Sequence, residues 1–312
     1  MPFLIHSEGD PVTDETALAP LTRTTPLKPA ITGWQMYLSD QGKSPHTIKA
    51  FAADVRLLAK YLPKDHTIGE ITTDQLNEFL DWLQNGRGIP CSPKSLARRI
   101  TSIKAFFRWL QGFGVVLIDP AEKVVQRSVI SPLPQVLSPA EVTAALEAAD
   151  HFRQAQRPDH RHYALFSMLL LTGLKKNETL TLAPEHIDLE APDGPVLTVR
   201  YASPANRYKE RKIALTPEWV ETYQCYIAAH PIEDRVFPWS PRRLEYLLED
   251  LTNAAGLDKH ISFAMCRWTC ALTDLRAGVE SNKIRQKLGV SKIQWRELGM
   301  KLDKLDKTTP VS

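Results

Sequence analysis

Apolar side chains recur at helical spacing along most of the chain, and capping residues mark where the helices begin. The segment that starts at Ile31 ends on Gly42, and the next segment begins at Ser44 with Pro45 in its first turn. The same pattern returns twice, in TTDQLNEFLDWLQNG and in SPKSLARRITSIKAFFRWLQGFG. Four helices in close succession predict a compact helical bundle.

The fourth predicted helix has two unlike faces. One arc is apolar and consists of Leu96, Ile100, Ile103, Phe106, Phe107 and Leu110. The opposite arc is cationic and consists of Lys94, Arg98, Lys104 and Arg108. A basic stripe backed by an apolar one is typical of a helix that lies along phosphates, and a solvated surface face is the alternative.

The remaining chain divides by composition. Residues 1–30 are rich in Thr and Pro without a periodic pattern, which predicts a flexible leader before a helical domain at 31–120. Prolines mark an interdomain linker at 121–137. A second domain is predicted at 138–312, where Ser138 caps the first helix and the strands GPVLTVRYA and ERKIALT form one small sheet.

Composition narrows the class of protein. The net charge of +3 is a weak indication of a polyanionic partner. No apolar run approaches the length of a membrane span and the first residues do not resemble a signal peptide, so we expect a cytoplasmic protein, associated with the nucleoid in a prokaryote, and no membrane partner.

Cys266 and Cys270 share helical spacing, which fits buried thiols or, as the alternative, metal ligands; we predict no metal and no cofactor.

Four ordered segments resemble the tyrosine recombinase, or phage integrase, family. LFSMLLLTGLKKNETLTLAPEHIDLE resembles its first signature box, ISFAMCRWTCALTDLRAGV its second, KIRQKLGVS the turn before the nucleophile helix, and the N-terminal bundle its core-binding domain. The positions that fit the two boxes are Thr172, Gly173, Leu174, Glu178, Leu182, Arg267, Thr269, Ala277 and Gly278. The resemblance implies a mainly α fold with a small antiparallel sheet, in which a SAM-like four-helix domain precedes a catalytic-type domain.

The resemblance also implies where the family's catalytic groups should lie. In that family a tyrosine attacks a DNA phosphodiester while arginines, a lysine and histidines stabilise charge and move protons. The corresponding positions here are Lys175, Asn206, Ala264, Arg267, Val290 and Gly299, and a shift of register would bring Arg207 or Lys209 to the lysine position. All eight tyrosines precede Arg267. We therefore predict that the chain is not an enzyme.

Loss of chemistry does not entail loss of DNA binding. The residues predicted to contact double-stranded DNA are Lys94, Arg98, Lys104, Arg108, Lys175, Arg207, Lys209, Arg211, Arg242, Arg243 and Arg267. We expect a regulatory, architectural or accessory role in DNA recombination or integration. One alternative is pairing with itself or with an active recombinase through the C-terminal tail, where Leu302 and Leu305 have helical spacing; another is a residual recombinase that uses Ser291 as nucleophile.

Overall fold

The described part of the chain forms two compact units. The computed structural model describes residues 20–89, 91–125 and 132–308, and the division falls between the second and third of these ranges. The fold is mainly helical with one small antiparallel sheet, as the sequence predicts.

The first unit is the predicted helical bundle. Its described residues form α1 (Leu27–Asp40), α2 (Pro45–Tyr61), α3 (Thr73–Asp81) and α4 (Pro93–Gly112), with a short 3-10 helix at Ile68–Glu70 and a π-helical turn at Trp82–Gly86. Ser44 caps α2 and Ser92 caps α4, because each hydroxyl accepts a backbone N–H of the first turn. The predicted apolar arc of α4 packs into the core beside the buried Trp34.

The first unit extends beyond the predicted bounds on both sides. Residues 20–30 belong to the fold rather than to a leader, because α1 begins at Leu27 and Pro26 forms an isolated β-bridge with Thr67. The predicted linker is also shorter, since Ala121 and Val124 are buried in the first core. The predicted leader at residues 1–19 lies outside the described residues.

The second unit places a small sheet among eight α-helices of the described chain. The helices are α5 (Pro139–Gln154), α6 (Arg161–Thr172), α7 (Lys176–Leu180), α8 (Pro217–Ala229), α9 (Pro241–Ala254), α10 (Phe263–Arg276), α11 (Ser281–Lys287) and α12 (Lys292–Thr308). The strands are β1 (Ile187–Asp188), β2 (Val196–Val199) and β3 (Arg211–Ala214), antiparallel in the order β1-β2-β3.

The last residues of the predicted linker are part of the second unit. The Leu137 backbone N–H donates to the Thr269 hydroxyl at 2.9 Å, and Lys259 Nζ donates to the Val136 carbonyl at 2.6 Å. Both linker side chains are buried. The second domain therefore begins before Ser138. None of the helices in the described ranges is long and apolar enough to cross a bilayer.

Candidate functional site

A cavity of about 350 Å³ lies in the second unit, between the start of α7, the β2–β3 connection, α10 and α12. Its lining residues are Lys175, Lys209, Arg267, Trp268, Val290, Gln294, Glu297, Leu298 and Lys301. Four of these side chains are cationic and one is acidic. The fold thus brings together residues from all three second-domain segments that carry the family resemblance.

Arg267 is fixed in place by the backbone on either side of the cavity. Its Nη1 donates to the Gly173 carbonyl at 2.5 Å, and its Nη2 donates to the Leu288 carbonyl. Burial lowers the pKa of the guanidinium to about 10, even though Glu178 acts to raise it. Arg267 is therefore still protonated at neutral pH. Two of its five N–H groups are used in these bonds, so others remain for a ligand.

Glu178 is the centre of a buried network beneath the cavity. Its carboxylate accepts two bonds from Arg211, at 3.0 and 2.9 Å, one from the Tyr201 hydroxyl and one from the Lys175 backbone N–H at 2.9 Å. Burial alone would raise the pKa of this carboxyl, but the bonds and charge of Arg211 lower it to about 2. Burial and the bond to Glu178 raise the pKa of Tyr201 to about 12. Glu178 is thus ionised and Tyr201 neutral near pH 7.

Lys175 lies at the edge of this network, with its ammonium partly open to the cavity. Its Nζ is 3.6 Å from Glu178 Oε1, and 38% of its side chain is exposed. Burial lowers the pKa of this ammonium below its ordinary value, although Glu178 acts to raise it. Glu178 thus both faces the Lys175 ammonium and accepts the Lys175 backbone N–H at the start of α7. Its main partner, however, is Arg211.

Lys209 is the cation that the β2–β3 connection contributes to the cavity. Lys209 lines the cavity, whereas Asn206 and Arg207 do not. The Lys209 ammonium donates to Asn206 Oδ1 at 2.7 Å, so Asn206 positions the cation that it was expected to replace. Arg211, predicted to contact DNA, has a side chain only 6% exposed and is committed to Glu178. The prediction that Arg211 contacts DNA is therefore corrected. Its side chain supports the site through Glu178.

Helix α12 turns a different face to the cavity than the family resemblance implies. Gln294, Leu298 and Lys301 line the cavity, and at 100° per residue Gly299 points away from them. A Cβ atom placed on Gly299 would instead lie 3.5 Å from Trp295 Nε1. The position assigned to the nucleophile is therefore not part of the cavity wall.

Of the other predicted positions, some line the cavity and some do not. Val290 lines the cavity, but Ala264 does not. The Ser291 hydroxyl accepts the Gln294 backbone N–H at 3.2 Å, which gives this residue a structural role at the start of α12. Cys266 and Cys270 are buried on α10, in agreement with the interpretation as buried thiols.

The cationic face of α4 contains both exposed and internally bonded residues. Lys94 and Arg108 are exposed. Arg98 is also exposed, but it pairs with Asp54, which is only 3% exposed and also accepts a bond from the Ser102 hydroxyl at 2.8 Å. Lys104 Nζ donates to the Glu122 carbonyl at 3.3 Å. Two of the four side chains predicted to contact DNA, Arg98 and Lys104, thus already have partners within the chain.

Three other predicted binding residues lie outside the cavity wall. Arg207 is on the β2–β3 connection, and Arg242 and Arg243 are in the first turn of α9. Arg242 Nε donates to the Tyr246 hydroxyl at 2.7 Å. These residues do not contribute to the cavity.

The tail leucines pack within their own chain. Leu302 is 1% exposed and Leu305 is 4% exposed, and both lie in a core cluster with Leu272, Ile284 and Leu288. The expectation that these two leucines dock on a neighbour is therefore corrected. Residues 309–312 of the predicted tail lie outside the described residues.

Four residues of α12 were missed in the sequence interpretation. They are Gln294, Glu297, Leu298 and Lys301. One signal was available, because Glu297 and Lys301 are four residues apart and form an ion pair of 2.6 Å on the same helix face. Leu302 and Leu305 follow Leu298 at i+4 and i+7, so their helical spacing indicates the side of α12 that carries Leu298.

The helical bundle and the mixed unit with its cationic cavity define a two-domain, integrase-type protein. The chain belongs to the phage integrase family: residues 135–295 match that family, and residues 31–112 match the N-terminal SAM-like domain of phage integrases.

Individual relatives agree with this assignment over most of the chain. The tyrosine recombinase XerC of Chromobacterium violaceum is 26% identical over 276 residues, which cover 86% of this chain and 88% of the relative. The tyrosine recombinase XerD of Pseudomonas putida is 26% identical over 275 residues, covering 83% and 87%. A lambda integrase (75–356) dimer bound to a COC′ core site shares the fold, with a TM-score of 0.69 at 14% identity and coverage of 90% and 96%.

The prediction that this chain is not an enzyme is wrong. The relatives that it matches over most of their length are named tyrosine recombinases, which are enzymes. The prediction depended on the absence of a tyrosine after Arg267 and on the residues at the family's catalytic positions, one of which, Gly299, the structure places outside the cavity wall. Counting tyrosines after Arg267 also left out the other polar groups that the fold collects around this cavity.

Proposed function

We propose that this chain is a DNA-binding protein that acts in DNA recombination, and that it holds a phosphodiester in the cavity bounded by Lys175, Lys209 and Arg267. The observation that carries this proposal is the convergence of these three cations on one cavity of about 350 Å³ in a member of the phage integrase family. The solved lambda integrase of the same fold is described as bound to a core site.

The geometry suits a phosphodiester because the cations differ in kind. Arg267 offers a planar guanidinium whose orientation is set by two backbone carbonyls, which reduces the entropy lost on binding. Lys175 adds a compact charge without the fork of an arginine. Lys175 is held by Glu178, which accepts its backbone N–H and pairs with Arg211, so the site is largely preorganised.

The first unit would add contacts to the DNA backbone through α4. Lys94 and Arg108 are exposed on that helix and have no ion pair in the described chain, whereas the exposed Arg98 is engaged with Asp54. Contacts of this kind position a protein on a duplex without reading its sequence. We also propose that copies of the chain assemble on DNA, because the lambda integrase relative is described as a dimer.

A binding titration with a salt series tests the proposal. We expect duplex binding whose logarithmic affinity falls with the logarithm of salt by about 0.9 for each phosphate contacted. Arg267→Gln should weaken binding by about tenfold or more, because a charged, preorganised donor is lost. Arg296→Gln is the matched control, since Arg296 is exposed on α12 but does not line the cavity. Absence of binding at low salt, or affinity independent of salt, would overturn the proposal.

The recombination role has its own test. DNA recovered with the purified full chain should be enriched in a defined site at which segments are joined or exchanged. Recovery of sequences that match the input DNA at random would contradict that role, even if duplex binding persists.

A further inference from the structure

A second concave surface lies beside the cavity, between the β2–β3 connection, β3 and α11. It has a volume of about 750 Å³ and shares Lys209 and Val290 with the cavity wall. We call it the α11 groove. Its charged lining residues are Lys209, Glu210, Arg211, Lys212, Asp274, Lys283, Arg285 and Lys287. Six of these are cationic and two are acidic, so the groove is strongly positive.

The cations of the α11 groove are not equally available. Lys287 pairs with Asp274 at 2.7 Å, Arg285 donates to the Val290 carbonyl at 3.0 Å, and Arg211 is committed to Glu178. Lys212 and Lys283 are exposed on opposite walls of the groove, one on β3 and one on α11. Within the described ranges neither ammonium has a hydrogen-bond or ion-pair partner. These two lysines are therefore the free charges of the groove.

An exposed aromatic ring completes this surface. Tyr208 lines the groove with 65% of its area exposed, the most of any tyrosine among the large exposed apolar residues of the described chain. The Lys209 ammonium lies 5.1 Å from its ring centroid. Among the described residues, no aromatic ring packs against that of Tyr208. Leaving a tyrosine uncovered costs apolar burial, which a stacking ligand would recover.

We propose that the α11 groove binds single-stranded nucleic acid, with phosphates on Lys212 and Lys283 and a base stacked on Tyr208. Free cations beside an accessible aromatic ring are the combination that single-strand-binding surfaces use. A duplex keeps its bases stacked inside and offers none to the ring, so the aromatic contribution selects unpaired strands. This site goes beyond the duplex site, from which it differs in every residue except the shared Lys209 and Val290.

The test is fluorescence anisotropy of a labelled oligothymidylate, which cannot pair with itself, against the full chain. Tyr208→Ala should weaken binding by about tenfold, and Tyr208→Phe should retain it because the ring is kept. Lys212→Gln combined with Lys283→Gln should reduce the salt slope by about 1.4, for two contacts to single-stranded phosphates. Lys304→Gln, an exposed lysine of α12 outside both cavities, is the control and should leave affinity and slope unchanged.

Three results would overturn the proposal of a single-strand site in the α11 groove. They are no binding of oligothymidylate by the wild-type chain, binding that Arg267→Gln abolishes and Tyr208→Ala leaves intact, and binding that depends on the two lysines but not on the ring. The second result would assign the strand to the cavity, and the third would indicate a site for anions without bases. Duplex binding is measured separately. If oligothymidylate does not bind, the proposed function is unaffected. If the duplex does not bind, the oligothymidylate test still applies.

Discussion

Arg211 and Glu178 form a bidentate ion pair, with Nη1–Oε1 and Nη2–Oε2 distances of 3.0 and 2.9 Å, beneath the cationic cavity. Both side chains are almost fully buried, at 6% and 2% exposure. The pair ties β3 to the start of α7, and Arg211 Nε also donates to the Lys287 carbonyl at 2.5 Å. A charge that the sequence assigns to DNA therefore holds three elements of the site together.

Removing one member of this pair should destabilise the second unit. Glu178→Gln leaves the Arg211 guanidinium buried without its counterion, and we expect a loss of about 3–5 kcal/mol in the free energy of unfolding. Urea unfolding followed by circular dichroism measures it. The double variant Glu178→Gln with Arg211→Met, which removes both charges, should recover part of the loss. Equal stability of Glu178→Gln and the wild type would contradict the assigned role.

Duplex binding should weaken at alkaline pH earlier than an ordinary arginine site would. Burial lowers the pKa of Arg267 to about 10 and that of Lys175 below its usual range. Only the protonated forms attract phosphate, so affinity should stay level near neutral pH and fall as pH rises through about 10. Anisotropy at constant ionic strength measures this, with circular dichroism to verify that the fold persists. Affinity that is unchanged above pH 10 would show that Arg267 does not contact the DNA.

Two glycines should respond oppositely to alanine. Gly299 lies within α12, and an added Cβ would make only ordinary contact with Trp295, so Gly299→Ala should stabilise the protein by about 0.5–1 kcal/mol. Gly289 has a φ of +57°, and its Cβ would come within 2.6 Å of Arg211 Nη1. Gly289→Ala should therefore destabilise, as thermal unfolding of both variants would show. A destabilised Gly299→Ala would mean that α12 turns differently around its axis.

The cations of α4 should separate into binding and structural residues. Lys94→Gln and Arg108→Gln should each lower the salt slope of duplex binding by about 0.9 without changing stability, since both side chains are exposed. Arg98→Gln should instead lower the free energy of unfolding by about 1 kcal/mol, because the buried Asp54 loses a partner. Anisotropy and urea unfolding of the three variants distinguish these effects. A salt slope that falls only in Arg98→Gln would reverse the assignment.

Local patterns determined much of the fold. Ser44, Ser92 and Ser138 cap helices as predicted, because a cap depends on hydrogen bonds within four residues. The apolar arc of α4 is in the core, since one helical face suffices to predict its burial. The ends of the domains could not be placed this way, because Ala121, Val124, Val136 and Leu137 are buried by residues far away in the chain.

The sequence by itself determined the helices, the small sheet and the family, and it named Lys175, Lys209 and Arg267 as candidate cations. Only the tertiary structure decided that Arg211 forms an ion pair with Glu178 and Arg98 one with Asp54. It also decided that α12 turns Leu298 rather than Gly299 to the cavity. The physical reason is range. Helix caps and amphipathic faces depend on neighbours within one or two turns, whereas the partner of a charge and the rotation of a helix depend on what long-range packing brings against it.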